Sequence, residues 1–133
     1  MDEETYYKMS KEEQKAYKKQ LRANFKHGLK VGDILYSMWG YDQTNVDYYK
    51  IMGVKGKSVI IQQIKERTIE DGFMCGKTTP IINEVLGEPL KKIPQPSIND
   101  VLHGKEPRAL VNLNSYSFAE LWDGQPKSSS WYA

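Results

Sequence analysis

Disulfide stapling is excluded from the outset, because Cys75 is the only cysteine among the 133 residues. A lone thiol suits a reducing compartment, and the opening Met1-Asp2-Glu3-Glu4 lacks the apolar core of a secretion signal. The expected location is therefore cytoplasmic. No apolar run approaches the roughly 20 residues that a spanning helix requires, so no membrane contact is expected. Two histidines, His27 and His103, and one cysteine are too few for a recognisable metal site. No phosphate-cradling glycine loop is present, since Gly53-Val54-Lys55-Gly56-Lys57 joins two strand-like runs and has no helix start behind it. No cofactor is expected.

Catalytic candidates are equally sparse. Cys75 sits between Met74 and Gly76 with neither histidine near it in sequence, and a solitary cysteine usually behaves as a small apolar group. Asp100 and His103 stand three apart, a spacing that would pair them on a helix, but Asn99 and Gly104 suggest a turn. The chain reads as a binding protein, not an enzyme.

What is present is aromatic and unevenly charged. Three Trp and nine Tyr supply much of the area for a core, at roughly 150–250 Å² apiece. A chain of this length can bury roughly two thirds of its unfolded surface. The formal net charge of +2 conceals a local excess. Residues 11–30 carry seven basic side chains against two acidic ones, and the remainder is close to neutral or slightly acidic. Such asymmetry points to nucleic acid or another acidic surface.

Ser10 followed by Glu13 reads as a capping box. The good helix formers after it, with Gly28 as a stop, predict a helix from about Lys11 to His27. Tyr17, Leu21 and Phe25 recur at spacing four and form a narrow apolar stripe, and the other faces are basic. Strand signals begin near Lys30. Ile34–Trp39, Val46–Val54 and Ser58–Lys65 predict an antiparallel meander, with Lys55-Gly56-Lys57 as the second turn. Asp71-Gly72 marks a further turn, and the short strands Phe73–Lys77 and Thr78–Val85 after it are expected to form another hairpin. Gly87, Pro89, Pro94 and Pro96 then punctuate a connecting segment that cannot be a central strand. Ala109–Leu113 and Phe118–Trp122 are expected to close the domain, followed by a loop and the tail Trp131-Tyr132-Ala133.

The expectation is a mainly β (α+β) fold: a small SH3-like antiparallel β-barrel with an N-terminal basic helix. An OB-like barrel is the alternative. Residues 1–28 form the acidic tip and basic helix, and 29–133 one barrel-like domain with a tail.

The string Trp39-Gly40-Tyr41-Asp42-Gln43-Thr44-Asn45-Val46-Asp47-Tyr48-Tyr49, the Gly32-Asp33-Ile34 before it, and the later Leu121-Trp122-Asp123-Gly124 with Pro126 resemble a family of small, functionally unassigned proteins. These are encoded by bacteriophages, plasmids and related bacterial loci. The resemblance covers most of the chain after residue 28 and brings no activity or catalytic residue with it. It implies a mobile genetic element, whose small non-enzymatic proteins often modulate host machinery, including defence nucleases.

Two candidate binding elements follow. The aromatic and polar loop offers Trp39, Tyr41, Asp42, Gln43, Thr44 and Asn45, and the helix offers Lys15, Lys18, Lys19, Arg22 and Lys26. Aromatic faces and amides suit bases or a protein partner. The plainer reading has Trp39 plugging one end of the barrel, with Asp42 and Asn45 bonding the loop backbone. The expected partner is nucleic acid or a host protein complex that handles it, as in an anti-CRISPR-like inhibitor. The alternative is an assembly protein that oligomerises through exposed aromatics, and oligomeric state is left open.

Overall fold

Asp2 and Ser10 each start a helix in the computed structural model, which describes residues 1–40, 44–114 and 117–130. Asp2 accepts the amide of Thr5 at 2.8 Å and caps α1 (Glu3–Tyr7), a turn the sequence did not announce. Ser10 closes both halves of the expected capping box, its hydroxyl accepting from the Glu13 amide and its amide donating to the Glu13 carboxylate. The helix α2 (Lys11–Asn24) ends three residues before His27, because Phe25 turns extended (φ −78°, ψ 132°). The stop comes from another part of the chain. Lys57 donates to the Ala23 carbonyl at 2.9 Å, and the His27 imidazole bonds Gly56 through Nε2 and the Leu29 amide through Nδ1. A distant lysine thus satisfies one of the carbonyls a helix end leaves open.

Eight antiparallel strands form one sheet: β1 (Ile34–Trp39), β2 (Asn45–Lys55), β3 (Ser58–Gly72), β4 (Cys75–Lys92), β5 (Gln95–Pro96), β6 (Ala109–Asn112), β7 (Phe118–Leu121) and β8 (Lys127–Ser130). Their order is β5-β6-β7-β1-β2-β3-β4-β8. The expected meander is there, and the fold is mainly β. The sheet is not closed into a barrel, because β5 and β8 are left as its two edges. Two expectations need correction. The pair of short strands after Asp71 is one continuous strand, β4, which runs through Gly87 and Pro89 to Lys92. The segment around Asp100 is a short helix, α3 (Ile98–Leu102), capped by Ser97 and not a turn.

The physical reason for the first correction is irregularity. Ile61 pairs with Leu90 and Gln63 with Leu86, so Gln62 alone opposes Gly87, Glu88 and Pro89. Ile64 pairs with Val85 and Lys65 with Ile81, which leaves three more residues of β4 bulged. Bulges at an edge are where proline and left-handed glycine (Gly87, φ 69°) are tolerated. The edge is free there because β8 pairs only with Cys75–Thr78.

Both faces of the sheet's middle are covered. Leu35, Ile51, Val59 and Ile61 pack with Leu29, Val111 and Ala119 on one side. Ile34, Val46, Tyr48 and Ile64 cluster on the other, with Tyr36 and Trp122 against them. This explains why Ile34 and Leu35 are adjacent apolar residues, one for each face. Each such side chain contributes about 1.5–3 kcal/mol by leaving water. The Leu121-Trp122-Asp123-Gly124 string makes the turn into β8: the Trp122 indole donates to Gln125 O at 2.7 Å and its ring meets Tyr48 edge-on. Asp123 accepts from the Gln125 amide and from Lys127.

Candidate functional site

At 3.6 residues per turn, Lys11, Lys15, Lys18, Lys19 and Arg22 fall within an arc of about 100° and a length of about 16 Å. All five are exposed, and none forms an ion pair with a described residue. Other lysines on the surface are likewise without an ion pair, but on α2 five such cations are gathered on one face. The opposite face carries Gln14, Tyr17 and Leu21, each half-buried. Gln14 donates to the Tyr6 carbonyl at 3.0 Å, and the Tyr6 and Tyr17 rings meet at 6.1 Å. No residue of α2 is buried outright. The helix therefore lies on the body by one incompletely covered stripe.

Lys26 lies past the helix end, beside an open groove of about 500 Å³ bounded by Tyr17, Leu21, Phe25, Pro96 and Pro107. A second groove of about 220 Å³, bounded by Lys18, Leu21, Arg22, Gln95 and Pro96, shares Leu21 and Pro96 with it.

The aromatic loop is only partly described, and Tyr41, Asp42 and Gln43 lie outside the described residues, as do Trp131 and Tyr132. Trp39 is 41% exposed, so it plugs nothing. Its indole N–H donates to Asp47 at 2.6 Å, which holds the ring on the surface. Asn45 faces Trp39 across the β1–β2 pair. Thr44 is tied to β8, its amide donating to the Ser130 hydroxyl at 2.9 Å and its carbonyl accepting from the Ser130 amide at 3.0 Å. The loop's described ends rest on β1, β2 and β8, whereas α2 rests on β5 and the β2–β3 turn.

Sequence reasoning missed a polar network beside these elements. Arg108 donates through Nε and its amide to Asp100, and through Nη1 to Glu120. Glu120 also accepts the Tyr36 hydroxyl at 2.7 Å, and Lys127 lies over the Tyr36 ring. Burial, reinforced by the bond to Glu120, pushes the Tyr36 phenol up to about 12. Burial also raises the Asp100 carboxyl, but bonding to Arg108 outweighs it and leaves the group below its ordinary value. Of these residues Tyr36, Arg108 and Glu120 border a cleft of about 430 Å³ with Leu29 and Leu121. The network's positions scatter from 36 to 127, so no local spacing could have shown them. The charges answer one another, and the network ties α3, β7 and β1 together through Arg108, the residue before β6.

Asp100 is thus engaged with Arg108, while His103 turns to the Asn99 carbonyl at 2.6 Å and approaches Glu3 at 3.7 Å. Cys75 is at the start of β4, paired with Ser130. The structure does not bring these three into one constellation. Among the described residues, no group of three or more His, Cys, Asp or Glu is placed to hold a metal ion, and no helix is long and apolar enough to cross a membrane. Comparison with known protein families, with curated proteins and with solved structures finds no match to this chain.

Proposed function

We propose that this chain is a small non-enzymatic binding protein for nucleic acid, or for a protein complex that handles it, with α2 as the principal contact. The observation that carries the reading is the uncompensated cationic stripe from Lys11 to Arg22. Basic side chains without local partners raise the concentration of an anionic ligand nearby and release counterions when they meet phosphates. In this reading the sheet is the scaffold, a barrel-like SH3-type unit in its finer classification. Support for that classification is the meander β1-β2-β3-β4 and the return of β8 to Thr44. The wider role is that of a mobile-element protein acting on host machinery in the cytoplasm, including inhibition of a defence nuclease. Its support is the resemblance of the Trp39–Tyr49 and Leu121–Gly124 strings.

The test is capture of partners from host lysate, with and without nuclease, alongside a salt titration of direct binding. Log affinity should fall with log salt by about 0.7–0.9 per phosphate neutralised. Flat binding from low to moderate salt, or loss of nothing on charge reversal of Lys15 and Lys19, would sink the reading.

One observation favours a second reading, in which the chain assembles with itself. Phe73, at the tip of the β3–β4 turn, is 88% exposed, and Ile69 nearby is 64% exposed. Large apolar groups left in water at a protruding tip suit a protein contact. Light scattering across a concentration series decides it, since a strict monomer leaves the tip without this role.

A further inference from the structure

The two histidines are bonded in opposite senses. His103 faces acceptors on both sides, the Asn99 carbonyl 2.6 Å from Nδ1 and the Glu3 carboxylate 3.7 Å from Nε2, so a second proton on its ring finds a partner. His27 faces a donor on one side and an acceptor on the other. The Leu29 amide donates to Nδ1 at 2.9 Å, which requires that nitrogen to be bare. The ring proton therefore sits on Nε2 and donates to the Gly56 carbonyl at 3.0 Å. Only the neutral imidazole, in this one tautomer, fits.

The ring stands in the connection between α2 and β1. No residue of α2 is buried outright. The β2–β3 turn reaches the helix end through Lys57, bonded to the Ala23 carbonyl, and through Gly56, bonded to His27. Beyond the ring the chain is fixed. Gly28 takes the left-handed conformation (φ 66°) that folds the next amide back toward the imidazole. Leu29 is 5% exposed within the core, and the Gly32 amide bonds the Ile51 carbonyl of β2 at 2.8 Å.

From this arrangement we infer that His27 is a proton-operated latch on the end of α2. Imidazoles gain a second proton between about pH 5 and pH 8. On Nδ1 that proton points at the Leu29 N–H, donor against donor. Leu29 is anchored, so the ring is what turns away. Both bonds leave one rigid ring, so the link to Gly56 goes with the link to Leu29. The neighbours do not hold the charged ring in place. Lys26 before it and Lys57 after Gly56 are cations. Of the groups that share its cleft, Arg108 is a cation, Glu120 is bonded to Arg108 and Tyr36, and Asp123 is bonded to Lys127 and the Gln125 amide. Asp33, the residue before β1, accepts the Lys30 amide. Acidification therefore detaches the end of α2 from the turn while the sheet stays folded, and the cationic helix becomes the part that moves. The latch is independent of what α2 binds, and loss of the nucleic-acid reading would leave it standing.

The experiment follows the whole chain by NMR from about pH 7.5 to about pH 5, across the imidazole range. At the upper end, ring nitrogen shifts should place the His27 proton on Nε2. On acidification the protection of the Leu29 amide, corrected for the intrinsic pH dependence of exchange, should fall roughly 2- to 12-fold, the worth of one hydrogen bond. The amides of Val59 and Ile61, inside the β2–β3 pairing, should keep theirs. His27→Asn offers a carbonyl oxygen in place of Nδ1 but takes no proton, so its Leu29 protection should no longer respond to pH. His27→Ala should show the released value at both ends. A proton on Nδ1 at neutral pH, or Leu29 protection unchanged down to about pH 5, overturns the latch. So does a pH response that persists in His27→Asn, which would assign it to His103 or a carboxylate, and so does a His27→Ala chain that exchanges like the latched wild type. Should either variant fail to fold, the wild-type ring and amide signals decide alone.

Discussion

Strand β3 lives in two environments, and the contrast separates what holds this protein together from what it shows to the outside. Val59, Ile61 and Ile64, in its first half, are buried between β2 and β4. From Lys65 to Glu70 every residue is exposed, although the backbone continues in the same extended conformation. The difference is the neighbour. The β2–β3 pairing begins at Tyr48↔Ile64, so beyond that point β3 has only β4 beside it. Strand propensity sets the conformation of both halves, whereas burial is decided by what packs on the faces. Stability belongs to the first half, and the second is available for contact.

The largest test of this contrast is a matched pair of truncations. Ile61→Ala removes a side chain with no exposure and should cost about 2–5 kcal/mol. Ile69→Ala, with the same chemistry at 64% exposure, should stay within about 0.5 kcal/mol. Urea unfolding of the two variants compares them directly, and equal losses would abolish the distinction. Tyr48→Phe comes next, because its hydroxyl crosses from the core to β4 and donates to the buried Thr78 carbonyl at 2.8 Å. Leaving that carbonyl short of a donor should cost about 1–3 kcal/mol, and amide exchange should show the β3–β4 pair near Thr78 loosening before the core does.

Alkali sharpens the comparison from another side. Tyr36 holds its proton to about 12 in the folded chain, against an ordinary value of 10.0. Between those limits the unfolded chain releases a proton that the folded chain keeps. This contribution is therefore fully present below pH 10 and is lost as pH rises through 12. Unfolding midpoints of the wild type should fall across that window, and Tyr36→Phe should remove this part of the slope. Asp100 acts in the opposite direction: its carboxyl is held below the ordinary value, so its contribution is present near neutrality and fades as pH drops below 4. The smallest expected effect is Phe73→Ser in the β3–β4 turn, which should leave stability within about 0.5 kcal/mol of the wild type. Any change in its light scattering would then report association alone.

Much of the frame was legible because its signals are local. Ser10 and Glu13 lie one helical turn apart, and Ile34 to Lys65 carries the strand periods and the Lys55–Lys57 turn. The basic stripe could be read for the same reason. The rest depends on distant partners. Nothing near Phe25 says that Lys57 will close the helix, and three serines read as a loop until they pair with the start of β4. Pro89 and Gly87 hid a strand because bulges absorb them. At the candidate site, the cations on α2 were foreseen but the grooves beside the helix were not, since Pro96 and Pro107 reach them only through the fold. The tie of Tyr36, Asp100 and Glu120 through Arg108 joins β1, α3 and β7 and leaves no spacing to find.

The bulges of β4 also govern what this protein does at high concentration. Val85, Leu86 and Leu90 stand exposed along the free edge, a composition that in a flat strand would invite another chain to add itself and seed a fibril. Here the ladder is broken twice, Pro89 has no N–H to offer, and Glu84, Glu88, Lys91 and Lys92 surround the apolar groups with charge. The edge is thereby unsuited to templating. The backbone route to irreversible aggregation is obstructed along this border, whatever contacts exposed side chains such as Phe73 make.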